Sequence, residues 1–261
     1  MLHEKTVITV NGVEAYATAY ILDETANIKN RPLVIICPGG GYEFVSDREA
    51  EPVAMQFNAA GHHAVVLRYS VGIVEFPTAL LQLAKLMKMV REKTDEWNII
   101  ENKIFINGFS AGGHLAASLG VFWNKGWIEK EIGGHKEDYR PDGLILAYPV
   151  ITATEFAHRG SMDSLFKGNE SKALKLTLEN QVDKDTPPAF IWHTYEDETV
   201  PVENTLLFTL ALRRNNVPFE SHIYQYGSHG LSLGTGQSGV PEAYSNIQGW
   251  LNLAFEWMKY R

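Results

Sequence analysis

Cysteine is nearly missing from this chain. Cys37 stands alone among 261 residues, so no internal disulfide can form and stability must come from an apolar core. Cys37 lies within Leu33-Val34-Ile35-Ile36-Cys37 and reads as a small buried apolar residue, which fits a reducing cytoplasm. No apolar run approaches the ~20 residues needed to span a bilayer. No basic N-terminal segment leads into an apolar stretch either, so the expectation is a soluble, cytoplasmic chain with no membrane partner. Basic residues are outnumbered: 23 Lys and Arg against 31 Asp and Glu give a formal charge of −8. That sign argues against nucleic acid as a partner, because gripping a phosphate backbone needs clustered cations. Repeats, low-complexity tracts and long single-sign charge runs are absent. No pair of histidines or carboxylates shows ligand spacing on a helix, so no metal and no cofactor is expected.

What is present has ordinary globular proportions, 45% hydrophobic and 21% charged, with no compositional break to mark a linker. The expectation is a single α/β domain over residues 1–261. Short runs rich in β-branched residues alternate with longer segments of helical period. Strands are predicted at 5–10, 15–21, 33–37, 64–69, 104–107, 144–148, 190–193 and 219–226. The first two form an antiparallel pair across Asn11-Gly12, a strong hairpin signal. Helices are predicted at 50–60, 78–93, 113–123, 202–215 and 242–260; in the second, Leu80, Leu83, Ala84, Met87 and Val90 recur at helical spacing behind Pro77. Strands separated by helices need crossovers, so the central sheet of about eight strands should be mostly parallel, with helices on both faces.

In such a sheet, chemistry collects past the carboxyl ends of strands. Gly108-Phe109-Ser110-Ala111-Gly112 follows one predicted strand and opens a helix. The bare G-x-S-x-G pattern is weak and equally describes a turn with a solvated serine. In a strand-to-helix context it is a nucleophile elbow, whose flanking glycines make room for a tight turn. After the strand at 33–37 comes Pro38-Gly39-Gly40-Gly41-Tyr42. It lacks the endings of a phosphate loop or a dinucleotide fingerprint, but three glycines let backbone N–H groups approach an anionic oxygen. After the strand at 190–193 comes Tyr195-Glu196-Asp197-Glu198, a solvated acidic turn or the source of a fixed carboxylate. Asp197 is the best candidate, with Glu196 next, because ordering an aspartate loses less rotamer freedom. Asp183 and Asp185 precede the strand, on the wrong side. Of 9 histidines, His229 alone sits in a glycine-flanked loop past the last strand, where an imidazole can reach the elbow as a base. His193 reads as structurally satisfied, and His114, His158 and the others lack a partner motif.

Together these residues resemble the α/β-hydrolase family, which uses the order Ser110, Asp197, His229 for nucleophile, acid and base and an early Gly-rich loop for the oxyanion. The resemblance covers nearly the whole chain. It is closest to the esterase/lipase branch of small acetyl esterases, acetylxylan esterase-like and feruloyl esterase-like proteins, through Cys37-Pro38-Gly39-Gly40-Gly41-Tyr42, the segment 46–54 and the segment 186–194. One departure is Pro38, where many relatives carry a histidine that supports the loop. The resemblance implies acyl transfer through a serine intermediate, with the N–H groups of Ala111, Gly40 and Gly41 as oxyanion donors. It also implies a cap insertion at about 151–184, where Phe156, Met162, Leu165 and Phe166 either overhang the acyl pocket or pack on the domain. A cap this short suits small acyl groups, acetyl first, and a small-molecule ester of a sugar or xylo-oligosaccharide. Two alternatives stay open, an N-formylkynurenine-type formamidase on the same triad and a non-catalytic binding protein that kept the fold. A homo-oligomer is compatible with everything above.

Overall fold

The computed structural model describes residues 1–240 and 242–261. Its eight strands are β1 (Leu2–Val10), β2 (Val13–Ile21), β3 (Arg31–Cys37), β4 (His63–Arg68), β5 (Ile99–Phe109), β6 (Gly143–Ala147), β7 (Ala189–Thr194) and β8 (Phe219–Tyr224). They form one sheet in the order β1-β2-β4-β3-β5-β6-β7-β8. β1 pairs antiparallel with β2 and β2 with β4, and every later pairing is parallel. Asn11 and Gly12 both take positive φ, 50° and 78°, as a two-residue hairpin turn between right-twisted strands requires.

The helices are α1 (Glu51–Ala59), α2 (Thr78–Glu92), α3 (Ala111–Phe122), α4 (Gly126–Ile132), α5 (Arg159–Phe166), α6 (Glu170–Lys175), α7 (Glu203–Arg214) and α8 (Trp250–Lys259). Along β3 the side chains alternate between two cores. Leu33, Ile35 and Cys37 join the layer built by α2, α3 and α7, while Val34 and Ile36 join the one built by α1 and α8. A central parallel strand is covered on both faces, which is why these strands read as unbroken apolar runs. In the second layer Trp192 and Trp250 stack with centroids 5.3 Å apart, and both are fully buried. Truncating either to alanine is expected to cost about 3–5 kcal/mol.

Two expectations change. The helix predicted over 242–260 is broken: a 3-10 segment, Glu242–Ile247, precedes α8, and Tyr244 leaves helical geometry. Tertiary bonds win there, since Asn246 Nδ2 donates to Tyr226 O at 3.0 Å and Gln248 Nε2 to Gly234 O at 2.8 Å. α4, α5 and α6 are too short to show a helical period and do not figure among the predicted helices. Of the two readings of 151–184, packing describes Met162, Leu165 and Phe166: they are buried in the core with α2 and α3 and do not line the cavity that holds Ser110. Asn204 of α7 anchors the segment between β6 and β7, its Oδ1 accepting the N–H groups of Ile151 and Thr152 and its Nδ2 donating to Phe156 O. Among the described residues no helix is long and apolar enough to cross a membrane.

Candidate active site

Ser110 occupies the turn between β5 and α3 with φ 52° and ψ −117°, a backbone that L-residues adopt only when their surroundings force it. The surroundings here are close. Ser110 N donates to Ala147 O at 3.0 Å, and Ser110 O accepts from His114 and Val150, both at 3.1 Å. A Cβ on Gly112 would stand 2.0 Å from Cys37 O and 2.4 Å from Pro38 O, so α3 can start this near β3 only with glycine at that position.

Ser110 Oγ lies 2.8 Å from His229 Nε2, and His229 Nδ1 lies 2.6 Å from Asp197 Oδ2. A carboxylate only accepts, so Nδ1 carries a hydrogen and Nε2 is left to accept from the serine hydroxyl. Asp197 is buried, whereas its neighbours Glu196 and Glu198 are exposed. Its Oδ1 accepts the N–H groups of Thr199 and Val200 at 3.0 and 2.9 Å. Burial alone would push this carboxyl up, but hydrogen bonds from His193 and His229 outweigh it and hold the group well below the usual carboxylate range. Glu196 serves a different contact. It accepts the N–H of Gly227, tying the acidic loop to the loop that carries His229.

The Gly-rich loop approaches from the end of β3. Its carbonyls are occupied, Gly39 O by Ser46 N at 3.0 Å and Gly40 O by Glu43 N and Phe44 N at 3.0 and 3.1 Å. The N–H groups of Gly40 and Gly41 have no acceptor among the described residues. Gly40 takes φ 129°, and a Cβ there would meet Phe44 O at 2.1 Å. Ala111 opens α3, where the first N–H groups of a helix lack intrahelical partners. Pro38 cannot donate, yet the loop is held: Tyr69 Oη donates to Pro38 O at 2.7 Å, and Gly39 N donates to Glu49 Oε2 at 2.8 Å.

These groups share a cavity of about 520 Å³ that Gly40, Gly41, Ser110 and His229 line together. Among the described residues Phe44 is its one large apolar side chain, and Arg48, Glu43 and Thr199 stand on its walls. So does His158, which carries no motif in the sequence. Its Nδ1 accepts the Ser161 N–H at 3.2 Å as the N-cap of α5, which leaves Nε2 as the donor. Burial, reinforced by nearby His229, lowers its pKa and favours the uncharged ring.

The BD-FAE family matches this chain over residues 21–212. The chain belongs to the BD-FAE family. The stretch shared with other BD-FAE proteins includes the Gly-rich loop, Ser110 and Asp197, and ends before His229. This BD-FAE chain is 36% identical over 214 residues to endo-1,4-beta-xylanase B of Butyrivibrio fibrisolvens, with 78% of the chain and 33% of that protein covered. It spans between a third and just under half of the length of the curated relatives it matches. Among solved structures it resembles an acetyl ester-xyloside bifunctional hydrolase from Caldicellulosiruptor lactoaceticus, at 37% identity and TM-score 0.83, covering 96% of this chain and 89% of that one. The carboxylesterase Cest-2923 from Lactobacillus plantarum gives 28% identity and TM-score 0.87, covering 100% and 98%. The BD-FAE chain thus has the α/β-hydrolase fold.

Proposed function

We propose that this chain is a serine carboxylesterase that removes short acyl groups, acetyl foremost, from a sugar or xylo-oligosaccharide, and that residues 1–261 form one hydrolase domain with a cap insertion at 151–184. One observation carries the reading: Ser110, His229 and Asp197 stand in a continuous hydrogen-bonded row beside two backbone N–H groups without acceptors. In this mechanism Ser110 Oγ attacks the ester carbonyl carbon as His229 Nε2 takes its proton. Asp197 holds the imidazole by Nδ1, and the N–H groups of Gly40, Gly41 and Ala111 receive the developing oxyanion. His229 then gives its proton to the leaving alcohol, and water repeats the cycle to free the acid.

The cavity supports a short acyl group, because among the described residues Phe44 is its only large apolar wall and the apolar side chains of α5 are sunk in the core. A polyhydroxy alcohol suits the polar walls at Glu43, Arg48, His158 and Thr199. The structural relative from Caldicellulosiruptor lactoaceticus, described as acting on acetyl esters and xylosides, points the same way.

The test pairs acetylated xylo-oligosaccharides with N-formylkynurenine, alongside p-nitrophenyl esters from acetate to hexanoate and a fluorophosphonate label. Release of acetate, rates that fall along the ester series and labelling abolished in Ser110→Ala are expected. Ser110→Ala and His229→Ala should each lower turnover ~10⁴-fold or more. Faster hydrolysis of N-formylkynurenine would replace the esterase with a formamidase. Absence of both labelling and turnover would make the chain a binding protein.

A further inference from the structure

Glu49 is a carboxylate that the mechanism above does not use, and it is 2% exposed. It ends a 3-10 turn, Asp47–Glu49, directly ahead of α1. Both of its hydrogen-bond partners are neutral. Oε2 accepts the Gly39 N–H at 2.8 Å, and Oε1 accepts the Tyr148 hydroxyl at 2.6 Å. No ion pair to Glu49 forms among the described residues. Burying a carboxylate without a cation is expensive, and a fold has no need of it where an apolar side chain would pack.

The partners say what the group does. Gly39 immediately precedes Gly40 and Gly41, and a Cβ on Gly39 would stand 2.9 Å from Glu49 Oε2 and 3.0 Å from Ser110 Cβ. The carboxylate therefore stands within about two such contacts of the Ser110 side chain, on the wall of the same cavity. Tyr148 leaves the end of β6 with φ 37° and is 1% exposed. Its hydroxyl, while donating to Glu49, accepts the Ser232 N–H at 2.8 Å, and its ring meets the His229 ring edge-on at 5.1 Å. Ser232 lies three residues past His229 and is fixed twice more, Oγ donating to Arg48 O at 2.8 Å and O accepting from Trp250 Nε1 at 2.9 Å.

We infer that Glu49 is a positioning residue that, through Tyr148, couples the Gly-rich loop to the loop bearing His229, so that oxyanion donors and base keep one geometry relative to Ser110. The inference rests on the esterase reading. A carboxylate suits the place because it presents two acceptors to two donors. An amide presents one. In Glu49→Gln the oxygen can face the Gly39 N–H only if the NH₂ meets the Tyr148 hydroxyl, whose own hydrogen then lacks an acceptor.

The experiment measures kcat and KM for p-nitrophenyl acetate, the fluorophosphonate labelling rate and the melting temperature for the full chain and for Glu49→Gln, Tyr148→Phe and the double variant. Glu49→Gln should lower kcat and the labelling rate together by ~10- to 100-fold, below the ~100- to 1000-fold effect of losing an oxyanion donor outright, with KM within ~2-fold. Tyr148→Phe should give a smaller fall of the same kind. The double variant should fall short of the product of the two, since both act through one network. Unchanged kcat in Glu49→Gln, or a multiplicative double variant, overturns the inference. If Glu49→Gln does not fold, Tyr148→Phe decides, because it keeps the Glu49 bond to Gly39: wild-type kcat there sinks the coupling. Ser110→Ala in the same assay separates the two levels. Full activity in that variant refutes the esterase reading itself, whereas loss there with wild-type kcat in Glu49→Gln refutes only the role of Glu49.

Discussion

His193 Nε2 lies 3.3 Å from Asp197 Oδ2, so the oxygen that meets His229 has a second imidazole on its other side. His193 is fully buried, with Nε2 also 2.9 Å from Val200 O and Nδ1 2.8 Å from Thr205 Oγ1. A carbonyl only accepts, which places the hydrogen on Nε2 and leaves Nδ1 to accept from the threonine. One N–H is thus shared between Val200 and Asp197.

Removing that donor should loosen Asp197 without touching the cavity. His193→Phe is expected to lower kcat for p-nitrophenyl acetate by about tenfold, matching the ~1.5 kcal/mol of a hydrogen bond to a charged group. Thr205→Val should act in the same direction and less. Steady-state kinetics at saturating ester provides the check, and a wild-type kcat in His193→Phe would count against the role.

Stability should fall on mild acidification. Burial holds His114 down to about 3 and His62 to about 4, against ~6.5 in an unfolded chain. Between those values the unfolded chain binds more protons, so the contribution is complete above ~6.5 and is lost as pH falls toward the folded values. Asp197, whose folded value is also depressed, adds its own loss below ~3.9. Urea midpoints measured from pH 7.5 to 5 should decline steadily, and His114→Asn should reduce the slope by about one proton.

Gly112 and Gly126 make a contrasting pair. Alanine at 112 drives a Cβ to 2.0 Å from Cys37 O, whereas at 126 the nearest atom is Glu129 Oε2 at 3.9 Å. Helix propensity favours alanine by ~1 kcal/mol at either site, but overpacking against backbone takes ~1–3 kcal/mol or more at 112. Gly112→Ala should therefore lower the melting temperature and the activity, and Gly126→Ala should leave both unchanged or raise the first. Calorimetry on the two variants tests the pair.

His158 should matter for the alcohol and not for the acyl group. His158→Asn keeps a capping side chain on α5 but withdraws the Nε2 donor from the cavity wall. KM for acetylated xylo-oligosaccharides should rise several-fold, while that for p-nitrophenyl acetate, whose leaving group offers no hydroxyl, should stay within ~2-fold. An equal rise for both esters would contradict the assignment.

The sheet and the loops past its strands are legible in the sequence because each is written locally. Short apolar runs mark β3 to β7, Asn11-Gly12 marks the hairpin, and glycines mark the loop at Gly40 and the close start of α3 at Gly112. The structure brings the side chains of Ser110, Asp197 and His229 together, with the N–H groups of Gly40 and Gly41 on the same cavity. Glu49 is invisible there for the opposite reason. It sits in the segment 46–54 that carries the family resemblance, but nothing local singles it out: its partners Gly39 and Tyr148, and Ser232 behind Tyr148, come together only through the fold. His158 and His193 are no easier to read, one as the cap of a helix too short to show a period, the other as a strand-end core residue. The break before α8 depends on side chains reaching to Tyr226 and Gly234, which no periodicity reports.

Of the segment between β6 and β7, only His158 and Gly160 line the cavity among the described residues, while Met162, Leu165 and Phe166 lie beneath in the core. Cavity lining and core packing are therefore divided between separate faces of one short stretch. Under the proposed esterase reading, a change at 160, or at 158 to a side chain that still caps α5, alters what the cavity meets at little risk to the fold, so preference for one alcohol over another can drift by single substitutions while the scaffold stays as it is.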